Sequence, residues 1–208
     1  MKATITVTDL LSTKGRVDVL RVLWRSRQPL TAAEISRRAE LTYPATSAVL
    51  DTLIHLRVAD RAPAGRGHTH WLVRENQYVH AYLAPVFEAE EELPERLEDD
   101  IRSLFAERCV SVILFGSYAR GTQTLQSDID VIAVAQDTDE KQRIERDSAE
   151  IEREFRLRWG APLSVIAYDP HEAATLYERS PGLYGTLMAE GLAVSGLLAL
   201  EWRRLEQG

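Results

Sequence analysis

Residues 116–130 read GSYARGTQTLQSDID and lie between two short apolar runs, VSVILF at 110–115 and VIAVA at 131–135. Apolar runs of this length, rich in β-branched residues and bounded by turn signals, read as buried strands. Two such strands around a glycine-opened segment commit this part of the chain to a small sheet with a turn at one end. Asp128 and Asp130 are two apart on the second predicted strand, so both carboxylates project from the same face. Side-by-side carboxylates repel unless a cation neutralises them. Mg²⁺ (or Mn²⁺) prefers oxygen ligands and is commonly held by one or two carboxylates together with substrate phosphates. Gly116 allows a tight backbone at the strand end. Ser117 then opens a short helix, where its hydroxyl and N–H can meet phosphate oxygens. Arg120, one turn later, can add a charge-assisted bond. Asp-x-Asp alone more often marks a solvated strand edge; it is the whole combination that points to a metal-bound nucleoside triphosphate.

At these residues the chain resembles the nucleotidyltransferase superfamily that includes DNA polymerase beta, and most closely its minimal bacterial and archaeal members. Their hallmark of Gly-Ser, ten residues and Asp-x-Asp is matched by Gly116, Ser117, Asp128 and Asp130. The resemblance implies that Ser117 holds the terminal phosphates. It also implies that Asp128 and Asp130 are the catalytic and metal-binding pair, their Mg²⁺ bridging the phosphates and orienting an attacking hydroxyl. Active members usually place a third acid on a later strand to bind metal or deprotonate that hydroxyl. Here the later strand is PLSVIAY at 162–168, and Ser164 stands where the acid is expected. Asp169 lies five residues on, about 16 Å along an extended strand, and is a poor substitute. Either another acid reaches in, a partner or substrate supplies one, or transfer is slow or absent. Whether the chain is an enzyme is open at this stage.

The N-terminal segment carries a different signal. A first helix is expected from about residue 8 to 27, with Val17, Leu20, Leu23 and Trp24 on one face. Thr31 and Glu34 form the Thr-x-x-Glu capping box of a second helix, with Ile35 and Ala39 inward. Thr42 caps a third, with Pro44 in its first turn and Val49, Leu53 and Leu56 as its buried stripe. A turn at 62–68 and a strand at 69–73 complete a hairpin. Three helices and a hairpin in this order resemble the winged helix-turn-helix regulators of the arsenic-repressor and related classes. The resemblance implies binding of double-stranded DNA through the third helix in the major groove. Tyr43, Ala45, Thr46 and Ser47 are then the base-edge candidates, Arg37 and Arg38 the backbone contacts, and Arg61 and Arg66 the phosphate contacts of the wing. His68 and His70 read as solvent or backbone contacts.

Charge agrees with this division. Residues 1–74 hold 12 Lys/Arg against 6 Asp/Glu, and residues 75–208 hold 13 against 26, for a net charge of −7. Only the N-terminal part therefore suits a polyanion. The fold class expected is α+β: a winged helix at 1–75, a helical connector at 76–108 interrupted by Pro85 and Pro94, and a small mixed-sheet nucleotidyltransferase-fold domain at 109–208. Within the last, a helix at 139–159 with Ile144, Ile151, Phe155 and Trp159 inward is stopped by Gly160. A helix at 170–179, another from 183 and a short strand at 192–194 follow. Acids at 88–100 form a solvated face, and Tyr78, Tyr82, Val86 and Phe87 are candidates for a homodimer interface. The single cysteine, Cys109, excludes an internal disulfide framework and reads as a small core residue. No apolar stretch reaches transmembrane length and the N-terminus has no signal-like pattern, so no membrane association and a cytoplasmic location are expected.

Two functional readings follow. One is a DNA-binding regulator whose second domain binds Mg²⁺ and a nucleoside triphosphate, and transfers a nucleoside monophosphate to a hydroxyl if active. The other is an antitoxin-type minimal nucleotidyltransferase that neutralises a toxin-like protein partner and represses its own operon. The fold also permits an antibiotic-modifying transferase, which a DNA-binding domain disfavours.

Overall fold

The computed structural model describes residues 5–207. The chain divides into two compact units after Leu93.

In the first unit, Thr6 and Asp9 form a reciprocal capping box that opens α1 (Val7–Leu11). The single helix expected over 8–27 is instead two. Ser12 closes α1, and Thr13 starts α2 (Lys14–Arg25) by accepting the Arg16 N–H at 3.2 Å. A Ser-Thr pair breaks the run because the threonine hydroxyl offers the backbone a competing partner. α2 buries Val19, Leu20 and Leu23, while Val17 and Trp24 are half-buried. A short strand β1 (Leu30–Thr31) leads into α3 (Ala32–Arg38), which carries the Thr31/Glu34 capping box read from the sequence. Thr42 caps α4 (Tyr43–His55), whose buried positions are Thr46, Leu50 and Leu53. Val49 and Leu56 lie beside that stripe rather than on it. The wing is an antiparallel hairpin, β2 (Ala59–Ala64) and β3 (Gly67–Leu72), closed by Gly65-Arg66 with Gly65 at φ 59°. β1 pairs with β3, giving the order β1-β3-β2.

After a π-helical turn (Val79–Leu83), α5 runs unbroken from Ala84 to Phe105. The interruptions expected at Pro85 and Pro94 are absent. Pro85 directly follows the π-helical turn, where the regular i→i−4 ladder that its missing N–H would join is already interrupted. Pro94 lies inside the helix on an exposed position, so the missing N–H falls on the solvent side rather than in the core. The proposed dimer face also changes. Phe87 is 1% exposed and packs on Trp24 with ring centroids 5.8 Å apart. Tyr78 and Tyr82 pack against the same core, and Val86 is exposed.

The second unit is built on a four-stranded sheet of β4 (Cys109–Phe115), β5 (Ile129–Ala135), β6 (Leu163–Tyr168) and β7 (Leu192–Gly196), in the order β6-β5-β4-β7. β4 is antiparallel to β5 and β7, and β5 is parallel to β6. The central strands are buried on both faces, which is why they read as continuous apolar runs. Val112, Leu114, Val131 and Ala133 pack with the later turns of α5 and with α7 (Thr138–Trp159) through Ile101, Phe105, Ile144 and Phe155. Ile113, Ile132 and Val134 pack on the opposite face with Ala173, Leu187 and Trp202. Between them, α6 (Gly116–Ala119) links β4 to the loop before β5. The helix expected over 170–179 is split at Thr175 into α8 (Pro170–Ala174) and α9 (Leu176–Arg179); the Thr175 hydroxyl donates to the His171 carbonyl at 2.9 Å and competes with the helix ladder. α10 (Pro181–Glu190) precedes β7, and a 3₁₀ segment (Ala199–Gln207) follows it. Buried Trp202 donates to Ser111 Oγ at 2.9 Å, and that hydroxyl donates to the Leu197 carbonyl at 2.6 Å. Every polar atom of this internal link is thereby satisfied. No helix among the described residues is long and apolar enough to cross a membrane.

Candidate functional site

The site grows from the ends of three neighbouring strands. β4 ends at Phe115, which pairs with Asp130 on β5, and Asp130 in turn pairs with Ser164 on β6. Gly116 is therefore the residue just past the one that pairs with Asp130. Its φ of 73° is left-handed, and a Cβ placed there would stand 2.6 Å from Asp130 Oδ2. Two independent constraints require glycine at this point: the turn, and the carboxylate that occupies the space of a side chain. Ser117 follows in α6, half-buried, with its carbonyl accepting the Thr122 N–H at 2.9 Å.

The paired carboxylates are arranged slightly differently from the sequence expectation. β5 starts at Ile129, so Asp128 precedes the strand rather than lying on it. Asp128 is exposed and Asp130 is half-buried. Burial raises the Asp130 carboxyl above its ordinary value, and the negative charge of Asp128 raises it further; Arg120 acts in the opposite direction. An acid held in this state is short of positive charge, and a divalent cation with phosphate oxygens answers that shortage. The residues thus fit a hard cation. Among the described residues, no three His, Cys, Asp or Glu side chains come close enough to form a metal cluster.

The register also fixes the third position. Ser164, exposed, faces Asp130 across β5 and β6, where the missing acid was sought. Asp169 is committed elsewhere, capping α8 through the Glu172 N–H at 2.8 Å and accepting from Thr138. Arg120 forms an ion pair with Glu190 at the end of α10, and its charge also reaches Asp130. A cleft of about 470 Å³ opens beside Asp128, bounded by Leu125, Leu163 and Ser164 and, from α7, by Glu152 and Arg156. The two α7 residues form an ion pair one turn apart. Sequence reasoning did not single them out; an i,i+4 Glu/Arg pair on a helix surface looks like ordinary helix stabilisation.

In the first unit, Arg37 and Arg38 are exposed at the end of α3, and Tyr43, 58% exposed, opens α4 beside exposed Ala45. Ser47 is half-buried. Thr46 is a correction: it is 0% exposed, and its hydroxyl donates to the Thr42 carbonyl at 3.1 Å. Its place one turn after the cap turns it into the core, so it cannot meet a base edge. Arg66 is exposed at the wing tip, and Arg61 is exposed with Asp51 at 3.5 Å. His68 is exposed. His70 is buried, which lowers its basicity, while a hydrogen bond to the Leu30 backbone opposes that effect. Burial likewise pushes the Cys109 thiol up to about 12, as befits a packing residue.

A nucleotidyltransferase domain model matches residues 94–178, and an IclR helix-turn-helix domain model matches residues 17–63. Protein MJ1305 of Methanocaldococcus jannaschii, provisionally assigned as a protein adenylyltransferase, is 34% identical over 105 residues, which are 46% of this chain and 70% of that one. A solved toxin–antitoxin structure with AMP-PNP is 21% identical with a TM-score of 0.34, covering 53% of this chain and 86% of that one. A MarR family transcriptional regulator from Silicibacter pomeroyi is 24% identical with a TM-score of 0.32, covering 44% of this chain and 65% of that one. Fold, site and family models together define a chain that joins a helix-turn-helix DNA-binding domain to a nucleotidyltransferase domain. The chain belongs to the nucleotidyltransferase family.

Proposed function

We propose that this protein is a DNA-binding transcriptional regulator whose second unit binds a nucleoside triphosphate with Mg²⁺ and transfers a nucleoside monophosphate to a hydroxyl. The observation that carries the reading is the contact between Gly116 and Asp130. Glycine takes this positive φ without strain, and its missing side chain leaves open the space beside the half-buried Asp130 carboxylate, where backbone and carboxylate together can receive a phosphate and its cation. Asp128 and Asp130 would hold the cation, whose chemistry is to neutralise phosphate charge and lower the barrier to attack at phosphorus. Gly116 lets the backbone pass close to the phosphates, and Ser117 offers them its hydroxyl. Arg120 reaches the phosphates only by leaving Glu190, so its contribution depends on that exchange.

In the first unit, Tyr43 and Ser47 are the base-edge residues, and Arg37, Arg38, Arg61 and Arg66 meet phosphates of a two-fold operator bound by a homodimer in the cytoplasm. A second reading gives the transfer a protein acceptor, as in an antitoxin-type enzyme that modifies a toxin-like partner. The provisional assignment of the Methanocaldococcus relative as a protein adenylyltransferase favours it.

Calorimetry of ATP and GTP with and without Mg²⁺, on the wild type and on the Asp128→Ala/Asp130→Ala double variant, tests the nucleotide site. Metal-dependent binding abolished by the double substitution supports it; equal behaviour of the two proteins overturns it.

A further inference from the structure

The cleft beside Asp128 shares only part of the nucleotide motif. It is bounded by Asp128 and Ser164, but Gly116, Ser117 and Arg120 do not line it. Asp128 thus stands between two sides, the phosphate-binding turn on one and the open cleft on the other. An in-line displacement at phosphorus needs the same arrangement, because the attacking and leaving oxygens approach from opposite directions. α7 lines the same cleft as Asp128, through the polar pair Glu152 and Arg156. Glu152 keeps 44% of its side chain exposed, so it remains reachable within the cleft although paired with Arg156. Among the described residues no three such side chains come together to hold a metal ion, so Glu152 lines the cleft without joining the Asp pair in one metal shell.

The geometry points to this cleft as the acceptor site, with Glu152 as the catalytic base that Ser164 cannot be. This rests on the nucleotide-binding reading above. The acceptor hydroxyl enters between Ser164 and α7. Its oxygen forms a bond to the α-phosphorus of the nucleoside triphosphate, and the bond to the β-phosphate oxygen breaks. Pyrophosphate leaves, and the hydroxyl proton passes to the Glu152 carboxylate. Arg156 holds that carboxylate in place and is a positioning residue. The apolar side chains of the cleft lining are Leu125, Pro162 and Leu163 and the rest is polar or glycine, so the acceptor is a polar hydroxyl compound or an exposed hydroxyl side chain of a protein.

Water in the cleft is the simplest acceptor, so the experiment follows pyrophosphate release from ATP and Mg²⁺ by the full-length protein, beside calorimetric ATP affinity. Glu152→Gln is expected to lower kcat at least tenfold while ATP affinity stays within twofold of wild type. Adding Ser164→Asp to Glu152→Gln is expected to recover most of the rate, because it returns an acid to the position facing Asp130. A purely structural role for Glu152 on α7 would not be rescued from β6. Unchanged release by Glu152→Gln, no rescue by Ser164→Asp, or no release from a wild type that binds ATP each overturns the assignment of Glu152. Failure of ATP to bind the wild type overturns the nucleotide reading and, with it, this one.

Discussion

Gly116→Ala isolates the contact on which the nucleotide site depends. The left-handed φ of 73° costs an alanine roughly 1 kcal/mol. The new methyl would also stand 2.6 Å from Asp130 Oδ2. That atom is the end of a side chain, so the carboxylate turns away, leaving its preferred rotamer at a cost of about 1 kcal/mol. The expected loss of stability is therefore about 2 kcal/mol, or roughly 4–8 °C in melting temperature for a chain of this size. Binding suffers separately, because the displaced carboxylate no longer meets the cation; affinity for ATP with Mg²⁺ should fall at least tenfold, about 1.4 kcal/mol. A double-mutant cycle with Asp130→Ala separates the two causes. The remaining neighbour, the Asp130 Cβ, lies 3.6 Å from the new methyl, an ordinary contact. In that background Gly116→Ala should cost only the φ penalty, giving a coupling of about 1 kcal/mol in denaturant melts. Additive costs within about 0.3 kcal/mol, or an ATP affinity unaffected by Gly116→Ala, would refute the reasoning.

Gly196→Ala should be far less tolerable than Gly116→Ala. Its φ is 70° and the new Cβ would meet the Val110 carbonyl oxygen at 2.0 Å. Backbone cannot rotate away as a carboxylate can, so urea melts should show a loss of about 3 kcal/mol or more. Thr46→Ala should cost about 1 kcal/mol of stability and leave the DNA affinity of the folded protein unchanged, because the side chain is inside. Arg66→Ala should do the reverse, leaving the melting temperature unchanged and reducing the slope of log affinity against log salt by about 1 in fluorescence anisotropy. The raised Asp130 carboxyl makes a pH prediction with a definite sign. Its ionised form is disfavoured in the folded state, so the metal-free fold is penalised at neutral pH and relieved as pH falls through the raised value toward 3.8. Asp130→Asn should therefore raise the metal-free melting temperature at pH 7.5 by about 1–3 °C, the half-exposed setting keeping the gain small. That advantage should shrink as pH approaches 4, while wild-type affinity for ATP with Mg²⁺ weakens over the same range.

The parts of the fold legible in the sequence were those where one signal had no competitor. The apolar runs at β4 and β5 are buried on both faces, so no other reading suited them. The Thr31/Glu34 capping box and the Thr42 cap set the starts of α3 and α4 because each hydroxyl had one set of free N–H groups to serve. Expectations failed where local chemistry competed with periodicity. Thr13 and Thr175 each divided a helix that its apolar spacing alone would continue. Pro94 went the other way: at an exposed position α5 continues past it. Thr46 was misplaced because a polar residue near a recognition helix N-terminus reads as exposed, whereas its position is set by the buried stripe it shares with Leu50 and Leu53.

The site divides along the same line. Gly116, Ser117, Asp128 and Asp130 lie within fifteen residues, and strand geometry alone brings them together. Ser164 was also legible, because the resemblance puts an acid on the later strand, and the structure pairs Ser164 with Asp130 across β5 and β6. Glu152 was not, since nothing in a helix sequence says which surface pair overlooks a cleft; that depends on how α7 packs on the sheet through Ile144, Ile151 and Phe155. With a serine at the strand position, a base supplied by this chain itself would come from another element packed on the same sheet. α7 packs on that sheet and lines the cleft beside Asp128, and the proposal for Glu152 rests on that placement.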